Sequence, residues 1–224
     1  MTKFIVIFLS VLTMSFIQTD KKTINYIALG DSYTICTGTN LETEQWPDIL
    51  SRHLSKEGIP TNLVINPSRN GFSTQNVIDY ELPVLNKMKQ VDLVTLLIGV
   101  NDWVREVDTK TFHKNLIIII ESVQKKLSNK NNLVLITIPD FGVTPQGSQY
   151  GNGRNISKGI SEFNDIIQSE AKLHGLVCVD LFPISKNMKD NKELTAVDGL
   201  HPSAKEYAIW ETLIFPAVKT LLKK

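Results

Sequence analysis

Five short runs of apolar, largely β-branched residues recur along the chain, separated by longer stretches with helical spacing. The runs are Ile24 to Leu29, Leu63 to Asn66, Val91 to Ile98, Leu133 to Ile138 and Leu176 to Leu181. They are continuous rather than alternating, as expected of strands covered on both faces. Helical patterns fill the gaps at Trp46 to Lys56, Ser73 to Lys87, Lys110 to Leu127 and Ile156 to Leu173. A last one runs from about Ser203 to Leu222, with Pro202 near its first turn. Strand alternating with helix predicts an α/β fold, a five-stranded parallel sheet in a three-layer α/β/α arrangement. The isoleucines Ile117 to Ile120 favour strand by propensity, but Leu116, Ile120, Val123 and Leu127 fit one helix face, so the stretch reads as helix. The Gly/Asn-rich stretch from Gly147 to Asn155 reads as a surface loop near a substrate entrance.

With 224 residues the chain suits one sizeable domain, expected over residues 20–224. A charged fraction of 21% and a net charge of +1, with basic residues only in short pairs, give nucleic-acid binding little electrostatic support. Residues 1–19 differ from the rest: Lys3 precedes an apolar stretch from Phe4 to Ile17, which reads as a secretory signal. The alternative is an uncleaved membrane anchor, although the segment is short for a span of roughly 20 apolar residues. An exported protein with no stable membrane span after cleavage is therefore expected. The two cysteines, Cys36 and Cys178, read as buried free thiols, Cys178 lying within a strand-like run. No Cys/His spacing indicates a metal site.

At the carboxyl ends of the predicted strands stand residue types suited to acyl transfer. Gly30-Asp31-Ser32 follows the first strand and places a hydroxyl at the sheet edge where ligands bind in open α/β folds. Asp198-Gly199-Leu200-His201 precedes the last helix, and the i−3 spacing lets the Asp198 carboxylate hold the His201 Nδ1–H. A serine nucleophile also needs donors for the oxyanion. Those expected are the amide of Ser32, the amide of Gly71, which no Cβ obstructs, and the side-chain amide of Asn101. Asp31 reads as a structural loop acid. Phe72 and Trp103, each beside an oxyanion residue, read either as a substrate wall or as core. His53, His113 and His174 lie in helical patterns and read as ordinary histidines.

The residues resemble the SGNH hydrolases, also called GDSL-like lipases and esterases, over nearly the whole mature chain. Ala28-Leu29-Gly30-Asp31-Ser32-Tyr33-Thr34 resembles the nucleophile block, Gly71 the second-block glycine, and Gly99-x-Asn101-Asp102 the third block. Asp198-Gly199-Leu200-His201-Pro202-Ser203 resembles the last and most specific block. The resemblance implies a flavodoxin-like sheet, a Ser32/His201/Asp198 triad, an oxyanion hole from Ser32, Gly71 and Asn101, and no cofactor. It implies hydrolysis of a small-molecule, lipid or glycan ester, with thioesterase or lysophospholipase activity on the same triad as the alternative. A flavodoxin-like ligand-binding module is the non-enzymatic alternative, but the first loop lacks a phosphate-binding glycine pattern. One departure is Cys36, where similar members carry glycine; it is either a buried inert thiol or a reactive one lining the pocket.

Overall fold

The computed structural model describes residues 22–223, so the candidate signal at residues 1–19 lies outside the described residues. Strands β1 (Ile24–Gly30), β2 (Thr61–Ile65), β3 (Leu93–Leu97), β4 (Leu133–Ile136) and β5 (Val177–Val179) form one sheet in the order β2-β1-β3-β4-β5. Every pairing is parallel. Ile27, Leu29, Leu93, Val94 and Leu97 show no exposed surface, which is why these strands read as unbroken apolar runs. A hydroxyl pair, Tyr26 to Thr95 at 2.8 Å, crosses the buried seam between β1 and β3.

Helices Trp46–Lys56 and Ala204–Leu222 cover one face, where Trp46, Leu50 and Leu54 meet the buried Tyr207, Trp210 and Ile214. The other face carries the helical segment 74–87, Thr109–Lys126 and Ile156–His174. Phe112 and Phe163 stack at 4.3 Å between the last two. The isoleucine run is helical: Leu116, Ile119, Ile120 and Val123 are buried while Ile118 reaches solvent. Asp108 caps that helix by accepting the Thr111 N–H at 2.9 Å. Among the described residues no helix is long and apolar enough to cross a membrane.

The strand bounds shift by one or two residues from their predicted extents, and two departures have a visible physical cause. β5 ends at Val179 rather than Leu181, because the Asp180 carboxylate turns to accept the Thr137 hydroxyl at 2.7 Å and the Phe182 N–H at 3.1 Å, opening the helical turn Phe182–Ser185. The segment 74–87 is helical but contains one π turn, Val77–Glu81. A proline ring in an α-helix clashes with the carbonyl four residues back, and for Pro83, two residues beyond this turn, that carbonyl belongs to Asp79 within it. The wider turn turns Glu81 inward, where Oε2 accepts the Gly30 N–H at 3.0 Å.

The strand order sets where a ligand fits. From β1 the chain steps outward to β2, then crosses back to β3 on the other flank of β1. The connections leaving β1 and β3 therefore diverge, and a crevice opens at their carboxyl ends.

Candidate active site

Ser32 stands at that crevice on a tight turn. The Asp31 carbonyl accepts the N–H groups of Thr34 (3.0 Å) and Ile35 (3.1 Å), and Thr37 donates to the Ser32 carbonyl at 2.9 Å. The Asp31 side chain is fully buried and accepts the Tyr33 N–H at 2.9 Å, so it is a structural acid, as its place in the sequence suggests. Ser32 lines a pocket of about 200 Å3 together with Gly71, Asn101, Phe141, Tyr150 and His201. Among the described residues, its hydroxyl and its amide N–H have no hydrogen-bond partner in the protein.

One turn of helix after β3 locks the opposite wall. Asn101 Nδ2 donates to the Phe72 carbonyl at 2.9 Å, Arg105 Nη2 to the Gly71 carbonyl at 2.6 Å, and the Asp102 carboxylate accepts the Thr74 N–H at 2.9 Å. Three contacts from residues 101–105 thus hold 71–74 in place, leaving the second N–H of the Asn101 amide unused. The Gly71 amide likewise donates to no described residue. A Cβ at Gly71 would meet only Arg105 Nη2, at 3.4 Å. Glycine is required there by its φ of +78°, not by crowding.

His201 Nδ1 lies 2.6 Å from Asp198 Oδ2, and Asp198 Oδ1 accepts the amides of Leu200 and His201 at 2.9 Å each. Burial opposes ionisation of Asp198, but these hydrogen bonds outweigh it and hold the carboxyl below the usual range. The imidazole is therefore anchored by Nδ1, and Nε2 is its free nitrogen. Gly38 allows the approach of the loop after Ser32: a Cβ there would lie 2.6 Å from the Pro202 carbonyl and 2.7 Å from the Ala196 methyl. Tyr33 packs its ring edge-on to His201 at 6.0 Å and to Trp210 at 5.9 Å. No hydrogen bond joins Ser32 Oγ to His201.

Two further carboxyls lie at and behind the Ser32 turn. Burial pushes Asp31 up to about 8, against the pull of the Tyr33 amide, and pushes Glu81 well above the carboxylate range. The Asp31 carboxyl pushes Glu81 further up, Asp102 does the same to Asp31, and each of Asp31 and Glu81 keeps one buried oxygen without a partner, Asp31 Oδ2 and Glu81 Oε1. Among the described residues, no group of three or more His, Cys, Asp or Glu side chains converges to hold a metal ion.

Several residues take places that the sequence left open. Trp103 is core, buried under the Arg154 guanidinium at 4.0 Å and absent from the pocket wall. Phe72 lines the neighbouring groove, stacked on Tyr80. Cys36 is buried, and burial pushes its thiol well above the ordinary range, so it is the inert thiol of the two alternatives. Tyr150, from the 147–151 turn, does reach the pocket mouth. His53 pairs with Glu211, and His113 and His174 share Glu170. Arg105, Glu81 and Tyr33 carried no sequence signal for their roles here, since nothing local in the chain announces a partner in another element.

A model of the GDSL-like lipase/acylhydrolase family matches residues 28–209. Among solved structures, a lipase/acylhydrolase from Enterococcus faecalis is 25% identical, covering 88% of this chain and 96% of its own at a TM-score of 0.67. A psychrotrophic esterase from Pseudoalteromonas sp. is 20% identical, covering 89% of this chain and 100% of its own at 0.68. A member of the lipolytic G-D-S-L family from Veillonella parvula is 17% identical, with 86% and 97% covered at 0.69. No curated protein matches the sequence.

Proposed function

Since this chain belongs to the GDSL-like lipase/acylhydrolase family, we propose that it hydrolyses carboxylic esters through an acyl-enzyme on Ser32. The observation that carries this reading is the Asp198-anchored imidazole of His201, 2.6 Å from its carboxylate, on the wall of the pocket that Ser32 lines.

Ser32 Oγ attacks the ester carbonyl carbon while His201 Nε2 takes its proton. The oxyanion that forms is met by the unused amides of Ser32 and Gly71 and the second N–H of Asn101. As the carbonyl re-forms, the carbon–alkoxy bond breaks and His201 returns the proton to the leaving alkoxide. Water, deprotonated by the same nitrogen, then attacks the acyl-serine, and the acid and free Ser32 result. Asp198 accepts from Nδ1 throughout, fixing the tautomer that exposes a basic Nε2. The pocket of about 200 Å3 is small against the roughly 300–1,000 Å3 of drug-sized ligand sites, which favours a short acyl group. The Lys3-led apolar stretch of residues 1–19 supports export.

A fluorophosphonate probe and p-nitrophenyl acetate test this together. Wild type should label once and turn the ester over, while Ser32→Ala should do neither and keep its circular dichroism spectrum. Turnover retained by Ser32→Ala would remove Ser32 as nucleophile.

A further inference from the structure

Beside the Ser32 pocket runs a larger groove of about 770 Å3, lined by Arg69, Asn70, Gly71, Phe72, Tyr80 and Arg105 among others. The two spaces share Asn70 and Gly71, so a molecule whose carbonyl sits at the Gly71 amide extends directly from one into the other. The groove has about the volume that the Ser32 pocket lacks, and it is the place for the larger part of a substrate.

Its chemistry is one-sided. Two guanidinium groups line it, and no Asp or Glu does. Among the described residues, the arginines in ion pairs are Arg52 and Arg154, not Arg69 or Arg105. Arg105 is fixed by its 2.6 Å bond to the Gly71 carbonyl, which sets one positive charge on the same peptide segment that lines the Ser32 pocket. Arg69 is two residues from Gly71, and its carbonyl accepts the Phe72 N–H at 3.2 Å to close the turn between them. The same groove carries an aromatic pair, Phe72 and Tyr80 at 5.8 Å and 27° between planes, with Tyr80 60% exposed. Concave surfaces lined by one sign of charge concentrate the opposite ion, and guanidinium forks match carboxylate and phosphate.

We propose that this groove is a substrate subsite for an anionic group, a carboxylate or a phosphate, carried by the part of the ester that does not enter the Ser32 pocket. Arg69 is the specificity-determining residue, with Arg105 adding charge from its fixed position. This assignment rests on the ester-hydrolase reading above.

The test uses three soluble acetyl esters, of glycerol, of glycerol phosphate and of glycerate, with wild type and Arg69→Gln. Wild type should favour the two anionic esters in kcat/KM, by a margin that shrinks with added salt. Arg69→Gln should lose about tenfold on the anionic esters, chiefly through KM, the scale of one charge-assisted hydrogen bond. Its turnover of the glycerol ester should be unchanged, and Arg69→Glu should reverse the preference. The phosphate and glycerate arms separate the two sources of charge, and a preference for either supports the subsite. If the glycerol ester is cleaved but the anionic esters are no better, or Arg69→Gln affects all three alike, the subsite is overturned while the hydrolase reading stands. If no ester is cleaved and the fluorophosphonate does not label, the hydrolase reading falls. Calorimetry of glycerol phosphate binding to Ser32→Ala then still decides the subsite, which requires binding that Arg69→Gln weakens and is overturned without it.

Discussion

Cys36 adopts φ +58°, a left-handed backbone that costs a residue with a Cβ roughly 1–2 kcal/mol and glycine almost nothing. What offsets that cost is visible around the thiol. Sγ accepts the Trp46 N–H at 3.4 Å, at the start of a helix where the amide has no intrahelical acceptor, and it lies 3.6 Å from the Thr34 carbonyl. Cys36→Ala keeps the strained backbone and deletes the acceptor, so urea denaturation should show a loss of about 1–3 kcal/mol. Native protein should leave Cys36 unlabelled by iodoacetamide until unfolded, because burial holds the thiol protonated; rapid native labelling would mean it opens onto the pocket. At this scale the sequence was informative where chemistry demands a residue type at a turn. Ser32, Gly71, Asn101 and His201 could be grouped because each follows a predicted strand or precedes the last helix. The groups that hold them could not: Arg105 reaches Gly71 across 34 residues and Glu81 reaches Gly30 across 51. Side-chain reach of that kind leaves no local pattern.

Between elements, the contact that seats the Asn101 turn is made by a glycine in a helix interior. Gly159 lies in the Ile156–His174 helix, and a Cβ there would come within 1.9 Å of Trp103 Nε1 and 2.6 Å of Cε2. Helix propensity alone predicts that Gly159→Ala stabilises by about 1 kcal/mol. Packing predicts the reverse, since displacing a buried indole under Arg154 costs about 1–3 kcal/mol. The second effect should win: Gly159→Ala should unfold at lower urea, with an altered near-ultraviolet tryptophan signal and a lower kcat from the shifted Asn101. A gain in stability with unchanged kcat would show that the two helices slide apart without cost. The elements themselves were largely legible, because burial on both faces makes parallel strands into apolar runs and amphipathic helices keep their period. The π turn at Val77–Glu81 was not. Its residues keep the apolar spacing of a helix, and only the proline that follows and the buried acid within it mark the widening.

Across the whole molecule the buried acids set how stability varies with pH. Asp31, raised to about 8 chiefly by burial, and Glu81, raised well above its ordinary range for the same reason, carry protons in the folded state that the unfolded chain gives up near pH 4. Over the interval from roughly pH 4 to 8 the native state therefore binds more protons, and stability falls as pH rises, by up to about 1.4 kcal/mol per pH unit for each such group. The opposite sign belongs to Asp198 and Asp92. Burial raises both, but the His201 ring and nearby amides at one, and the Asn25 amide, Lys22 and Gln90 at the other, outweigh it and leave them below their ordinary values. Their contribution is present above the unfolded pKa and is lost as pH falls through the folded one, so it disappears only in strong acid. The two sets together place maximum stability in the mildly acidic range. Asp31→Asn isolates the first set, because the amide oxygen still accepts the Tyr33 N–H while the titrating proton is gone. Unfolding free energies from urea at pH 5, 7 and 9 should show the variant gaining on wild type at each step up to about pH 8 and levelling beyond it. Parallel curves for the two proteins would mean that Asp31 is ionised in the folded state and finds a compensating charge close by.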